Sequence, residues 1–264
     1  MMERAPADEG GHDMMTATVL GSGTCVPAAG RGAPGYLVRT GESLLLLDPG
    51  PGTLARLAAI GLSHRDIDLI LLSHLHPDHS LDLVTFLQAN NATPGYKRSR
   101  PLSLVGPKGL SAFLAGLIAL YDCVGPEGYS IDLRELGAET LRLPGGETLT
   151  AALSGHTRES LCFRLESGGR VLVYSGDASA RGDLPAIAGG ADLLLCECSF
   201  PETWEVPDHL NSAQAGRIAQ EAGAGRVVLT HLYPPSLETD VAAQVRTRYE
   251  GRVTLAYDGL TAIV

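Results

Sequence analysis

Three observations predict an α/β fold in a single domain over residues 16–264. Short β-rich runs alternate with helical patterns to the end of the chain, no linker or repeat divides it, and several histidines stand directly after strands. The first fifteen residues lack periodicity and read as a disordered tail. Thr16–Leu20 reads as a strand entering the turn Gly21-Ser22-Gly23, and Leu37–Arg39 and Ser43–Asp48 extend the sheet. Pro51 opens a helix that Gly61 closes: proline is tolerated where the first-turn N–H has no partner, glycine where left-handed backbone is needed. Asp68–Ser73 is a buried strand, Leu81–Ala89 a helix, Leu102–Val105 a strand and Lys108–Tyr121 an apolar helix that belongs in the core or in a subunit interface. Glu147–Leu153 is a strand, and Ser160–Glu166 with Arg170–Tyr174 forms a hairpin around Ser167-Gly168-Gly169. Strand and helix then alternate through Ala191–Cys196, Ser212–Ala222, Arg226–Thr230 and Ser236–Tyr249. Arg252–Ala256 and Thr261–Ile263 close the chain.

Composition narrows the class. With 264 residues, 44% apolar and 19% charged, the chain has enough apolar material for a sizeable core. Thirty acidic against twenty basic residues give a net charge of -10, which repels polyphosphate and argues against coating nucleic acid. No apolar run is long enough to span a bilayer, and residues 1–15 carry no secretory pattern. The five cysteines are odd in number and lack CxxC spacing, which argues for reduced thiols in a cytoplasm and against a disulfide framework or a Cys-type zinc site.

The chemistry concentrates in Ser73-His74-Leu75-His76-Pro77-Asp78-His79, which offers nitrogen and oxygen donors at offsets 0, 2, 4 and 5 from His74. Alternate positions of extended chain point the same way, so His74 and His76 can grip one ion, and the turn at Pro77 swings Asp78 and His79 toward a neighbouring position. Two metals about 3.5–4 Å apart can make and aim a shared hydroxide. His156, Asp177 and His231 also follow directly after strands, and strand ends in layered α/β proteins converge on one rim.

This pattern, HxHxDH followed by a lone His, a Gly-Asp and a Thr-His, resembles the metallo-β-lactamase superfamily from about Thr16 onward. The resemblance implies a four-layer αββα sandwich with a dinuclear site at one edge of the sheets. It assigns His74, His76 and His156 to one metal, Asp78, His79 and His231 to the second, and Asp177 to both. The true β-lactamases usually have Cys where Asp177 stands, so antibiotic hydrolysis is disfavoured. The nitrogen and oxygen ligand set suits two divalent ions, zinc first, with Mn²⁺, Fe or Co²⁺ as alternatives.

Ala191–Phe200, His209-Leu210-Asn211-Ser212-Ala213 and Leu229-Thr230-His231 further resemble the ribonuclease Z group. There a Glu and a later His support phosphodiester cleavage, and they map onto Glu197 and His209; Asp78 is counted with them among the catalytic residues. The group's long tRNA-gripping arm has no counterpart, because only the twenty residues Thr157–Gly176 separate His156 from Asp177. Lys97-Arg98-Ser99-Arg100 is a small basic loop, either a solvated turn or a phosphate contact.

The resulting expectation is a cytoplasmic, dinuclear phosphodiesterase acting on a small or cyclic phosphodiester through a metal-bridging hydroxide, with His209 protonating the leaving oxygen. Folded tRNA is disfavoured, no membrane is involved, and homodimers are common in this branch. Two alternatives are a lactonase or acyl ester hydrolase, in which Tyr233 would supply an oxyanion donor, and a ribonuclease Z-like tRNA 3′ endonuclease.

Overall fold

The computed structural model describes residues 14–41 and 43–264. Strands β1 (Thr16–Gly21), β2 (Gly35–Thr40), β3 (Ser43–Leu47), β4 (Leu69–Leu71), β5 (Leu102–Pro107) and β6 (Ile131–Leu136) form one mixed sheet, with β14 (Thr261–Ile263) added beside β1. Strands β7 (Glu139–Arg142), β8 (Thr148–Leu153), β9 (Leu161–Ser167), β10 (Arg170–Tyr174), β11 (Leu193–Glu197), β12 (Arg226–Thr230) and β13 (Arg252–Leu255) form the second, in that spatial order.

The run Ser43–Leu47 shows how sequence builds the layers. Leu45 and Leu47 enter the core between the sheets, whereas Leu44 and Leu46 face the helices, so a strand buried on both faces reads as unbroken leucine. Helices α1 (Thr53–Ala59), α3 (Asp82–Ala92) and α4 (Leu110–Leu120) cover the first sheet through Leu57, Leu83, Phe86, Leu87, Leu110 and Leu114. On the second sheet, α5 (Leu184–Ala188), α6 (Ser212–Glu221) and α8 (Val241–Arg246) cover an outer core containing Leu194, Cys196 and Cys198. The two short helices α2 (Pro77–Ser80) and α7 (Pro234–Leu237) lie in loops after strands. The architecture is the αββα sandwich, and the two cysteines pack in its outer core.

Several local expectations shift. The tail expected over residues 1–15 lies outside the described residues as far as residue 13. Met15 is buried in the inter-sheet core and its carbonyl accepts Val264 N, so ordered structure begins before Thr16. The helix expected over Ser236–Tyr249 is two helices, because the Asp240 side chain caps Ala243 N and starts a new one. Strands β6 and β7 were not anticipated; each is a sheet edge rich in charged residues, as edges must be to resist pairing with another chain. Helix α4 buries Leu110 and Leu114 and leaves Leu120 exposed, so one face of it belongs to the core. Among the described residues no helix is long and apolar enough to cross a membrane, and all five cysteines are free.

Candidate metal centre

The functional side chains all leave the same rim of the sandwich. Asp48 follows β3, His74 to His79 follow β4, and His156 follows β8. Asp177 follows β10, Glu197 ends β11 and His231 follows β12. Two of them, Asp48 (φ 47°) and His231 (φ 54°), hold left-handed backbone that non-glycine residues rarely adopt. Such strain persists only where surrounding contacts impose it, and here it turns each strand end toward the site. Gly50 makes a close approach possible: a Cβ there would meet the Asp78 carbonyl at 1.8 Å.

The seven residues expected as ligands converge. His74 Nε2 lies 3.1 Å from His76 Nδ1, which is 3.2 Å from His156 Nε2. His79 Nε2 and His231 Nε2 are 3.4 Å apart, each 3.7 Å from Asp78 Oδ2. Asp177 stands between the groups: Oδ2 is 3.7 Å from His74 and His156 Nε2, and Oδ1 is 3.2 Å from His79 and His231 Nε2.

The surrounding hydrogen bonds decide which ring nitrogens carry protons. Asp48 accepts Ser73 N at 2.6 Å, the Ser73 hydroxyl, Tyr174 Oη at 2.7 Å and His79 Nδ1 at 2.8 Å. Because the Ser73 hydroxyl donates to Asp48, its oxygen accepts from His74 Nδ1 at 3.0 Å. Likewise the Ser199 hydroxyl donates to Glu197, and its oxygen accepts from His231 Nδ1 at 3.0 Å. His156 Nδ1 donates to the Asp208 carbonyl at 2.8 Å. A neutral imidazole protonated at Nδ1 has a bare lone pair at Nε2. Four such lone pairs therefore face Asp177, whose Oδ1 is buried without an aligned donor. Lone pairs converging on a buried carboxylate repel unless a cation lies among them, so the donor set fits divalent metal.

A proton on His79 can meet the same demand for positive charge that a metal ion would. Burial pulls the His79 imidazole down, but the Asp177 and Asp48 carboxylates overcome it and hold its pKa well above the ordinary value. Burial also opposes ionisation of Asp177, yet the charges of His231 and His79 hold it well below the usual carboxylate range. His74 is held well below the ordinary histidine value, first by burial and then by His79. The site draws positive charge.

Beside the seven donors, His209 Nδ1 lies 3.1 Å from Glu197 Oε2. Burial lowers the His209 pKa, and the hydrogen bond and charge of Glu197 outweigh it, pushing it up to about 9. Glu197 is fully buried and also accepts Ala178 N, so it ties His209, Ser199 and the residue after Asp177 together. Asp48, Ser73 and Ser199 were not anticipated as site residues. For Asp48 the strand-end position that marked the other residues was available in the sequence. The basic loop does not reach outward as a unit: Arg98 is buried and donates to the carbonyls of Ile67, Arg100 and Pro101, while Arg100 pairs with Asp68.

Fold and site together define a metal-dependent hydrolase of αββα architecture. Residues 44–232 match the family described as Beta-lactamase superfamily domain, and the chain belongs to that superfamily. A protein named Ribonuclease Z from Mycobacterium bovis is 28% identical over 93% of this chain and 96% of its own length. Probable metallo-hydrolase YhfI from Bacillus subtilis is 28% identical over 93% of this chain and 98% of its own. The crystal structure of YhfI superimposes with a TM-score of 0.83 over 96% of this chain and all of that one. A diphosphatase of the PhnP family, 21% identical, shares the fold with a TM-score of 0.70 over 94% of this chain and 97% of its own. The chain is thus a ribonuclease Z-like hydrolase of the metallo-β-lactamase fold, a fold that implies divalent metal binding.

Proposed function

We propose that this hydrolase is a phosphodiesterase with two metal ions, zinc first among the candidates, acting on a small or cyclic phosphodiester. His74, His76 and His156 would hold one ion and Asp78, His79 and His231 the other, with Asp177 shared. When bound, such ions supply Lewis acidity and lower the pKa of water enough to give a nucleophile at neutral pH. The observation that carries the reading is the Glu197–His209 pair at 3.1 Å, adjoining the metal donors. With Nδ1 engaged by Glu197, His209 keeps Nε2 as the atom from which a proton passes to a leaving alkoxide. A lactonase has no need of this pair. The Tyr233 hydroxyl, its candidate oxyanion donor, instead lies 3.4 Å from Cys25 Sγ.

A second reading, RNA 3′ cleavage, has support of its own. The mycobacterial relative named Ribonuclease Z is covered over 96% of its length, so the short Thr157–Gly176 span does not set this chain apart by size. The net charge of -10 and the inward-tied Arg98 favour the small substrate. One screen tests both: bis-p-nitrophenyl phosphate, cyclic nucleotides, acyl-homoserine lactones and an unprocessed tRNA offered to one metal-analysed preparation. Two ions per chain and faster turnover of small diesters are expected. A single ion in a fully loaded active sample overturns the dinuclear assignment, and efficient tRNA processing at physiological salt overturns the small-substrate one.

A further inference from the structure

The segment from β11 to α6 carries, besides His209, an aromatic feature that phosphodiester cleavage itself does not use. Trp204 is the one tryptophan of the chain and is 48% exposed. Its ring lies parallel to Phe200, with centroids 5.6 Å apart and planes 9° apart. Phe200 stacks in turn on Tyr233 at 4.9 Å and 18°. Tyr233 is 5.7 Å from the His209 ring and 5.6 Å from His231, and Phe200 is 6.1 Å from His209. Three rings thus run from the proton donor to the surface, and the outermost leaves half its area in water.

That outer ring is held in place. Trp204 N donates to the Pro201 carbonyl at 2.9 Å, and the Trp204 carbonyl accepts Asn211 Nδ2 at 3.0 Å. Asn211 is the residue whose side chain caps α6, so the platform is anchored to a helix end. A preordered aromatic face binds a flat partner with little further loss of freedom. The two arginines nearby are already paired, Arg248 with Glu202 and Arg181 with Asp208, and Glu205 adds an exposed negative charge, so little there attracts a phosphate. A ligand here is therefore planar and uncharged, while its phosphate belongs at the metal donors.

We infer that Trp204 is a stacking platform for the nucleobase of a nucleoside phosphodiester, on the side of the leaving alcohol. The inference rests on the phosphodiesterase reading above and adds the substrate class. Trp204 stacks on Phe200, whose ring lies 6.1 Å from that of His209, and this adjacency puts the base on the alcohol that His209 would protonate. Stacking tolerates any base, because each presents a π face.

The test compares adenosine 2′,3′-cyclic phosphate with its base-free counterpart, methyl riboside 2,3-cyclic phosphate, so that only the base differs. Trp204→Ala should raise KM for the adenosine compound roughly tenfold, leave kcat little changed, and leave the methyl riboside unaffected. Trp204→Phe should keep most of the wild-type KM, which also guards against simple misfolding of the alanine variant. Binding is read separately by the fluorescence of the single tryptophan, which adenosine 3′-phosphate should change and methyl riboside 3-phosphate should not. Equal effects of Trp204→Ala on both substrates overturn the platform, and so does a fluorescence response indifferent to the base. If neither cyclic phosphate is hydrolysed, the phosphodiesterase reading fails for that class, and the fluorescence comparison alone still decides whether Trp204 receives a base.

Discussion

Glu197 and His209 face each other at 3.1 Å, yet their surroundings give them different jobs and different mutational signatures. His209 bonds to the rest of the site through that carboxylate and, at 3.5 Å, the Ser199 hydroxyl, whereas Glu197 receives the Ser199 hydroxyl, which holds His231, and Ala178 N, which follows Asp177. His209→Ala should therefore leave metal content unchanged while lowering kcat about 10²–10⁴-fold on an alkoxide-leaving diester, the usual worth of a general acid. The loss should shrink on a p-nitrophenolate-leaving diester, because that anion departs without a proton. Equal losses on the two substrates would make His209 a binding residue, and no loss on either would favour the lactonase alternative. Glu197→Gln should behave differently: one oxygen remains for several donors, so metal affinity falls along with turnover. Metal analysis of the two variants under the same dialysis separates these outcomes. The convergence of the proposed donors was legible because His74, His156, Asp177 and His231 stand just after strands and Asp78 and His79 share the motif that begins at His74. Ser73 and Ser199 were not, since their role is to relay a proton position between a carboxylate and an imidazole that meet only in the fold.

At the level of elements, the site is a set of strand ends pinned to one another. Asp48, at the end of β3, fixes His79 on α2, Ser73 after β4 and Tyr174 at the end of β10. Asp48→Asn keeps the shape but offers one accepting oxygen and a new N–H among groups that all donate. Partners of this kind typically change metal affinity 10–100-fold, and a loss in that range is expected in a competitive chelator titration. Gly50→Ala should give a similar loss by another route, because its Cβ would displace the Asp78 carbonyl and shift α2 as a body. Unchanged affinity in both variants would mean that α2 is positioned from elsewhere. The strands carrying these residues were readable in the sequence, β3 as a leucine run and β4 as the strand before the histidines, since burial on both faces leaves a continuous apolar signal. The edge strands β6 and β7 and the break between α7 and α8 were not, because exposed edges and capping residues look like loop in a one-dimensional pattern.

At the scale of the whole molecule, the first and last strands close on each other. β14 pairs with β1, and the loop before it brings Asp258 onto the turn after β1. Asp258 accepts Ser22 N at 2.9 Å, Ser22 Oγ at 2.8 Å and Gly32 N at 2.8 Å, and it pairs with Arg56 at 3.1 Å. The Ser22 carbonyl accepts Leu232 N, one residue beyond His231, so this clasp also steadies the last of the proposed metal donors. None of this was legible in the sequence, where more than two hundred residues separate the partners. The clasp is mostly buried, and its hydrogen bonds to a charged acceptor count for more than its ion pair. Asp258→Ala strands two backbone N–H groups and a hydroxyl, a cost of about 2 kcal/mol after allowing for partial solvent access. At roughly 2–4 °C per kcal/mol for a chain of this size, the melting temperature should fall by about 4–8 °C. Arg56→Ala removes the partly exposed ion pair, worth about 0–1 kcal/mol, and a long bond to the Pro51 carbonyl, so its melting temperature should fall by no more than a few degrees. Both variants are to be melted in the same buffer with metal saturating, because a ligand that binds only the folded state raises the apparent stability. Equal shifts would assign the clasp's strength to the Arg56 charge, and no shift in Asp258→Ala would show that the chain ends are held by the β1–β14 pairing alone.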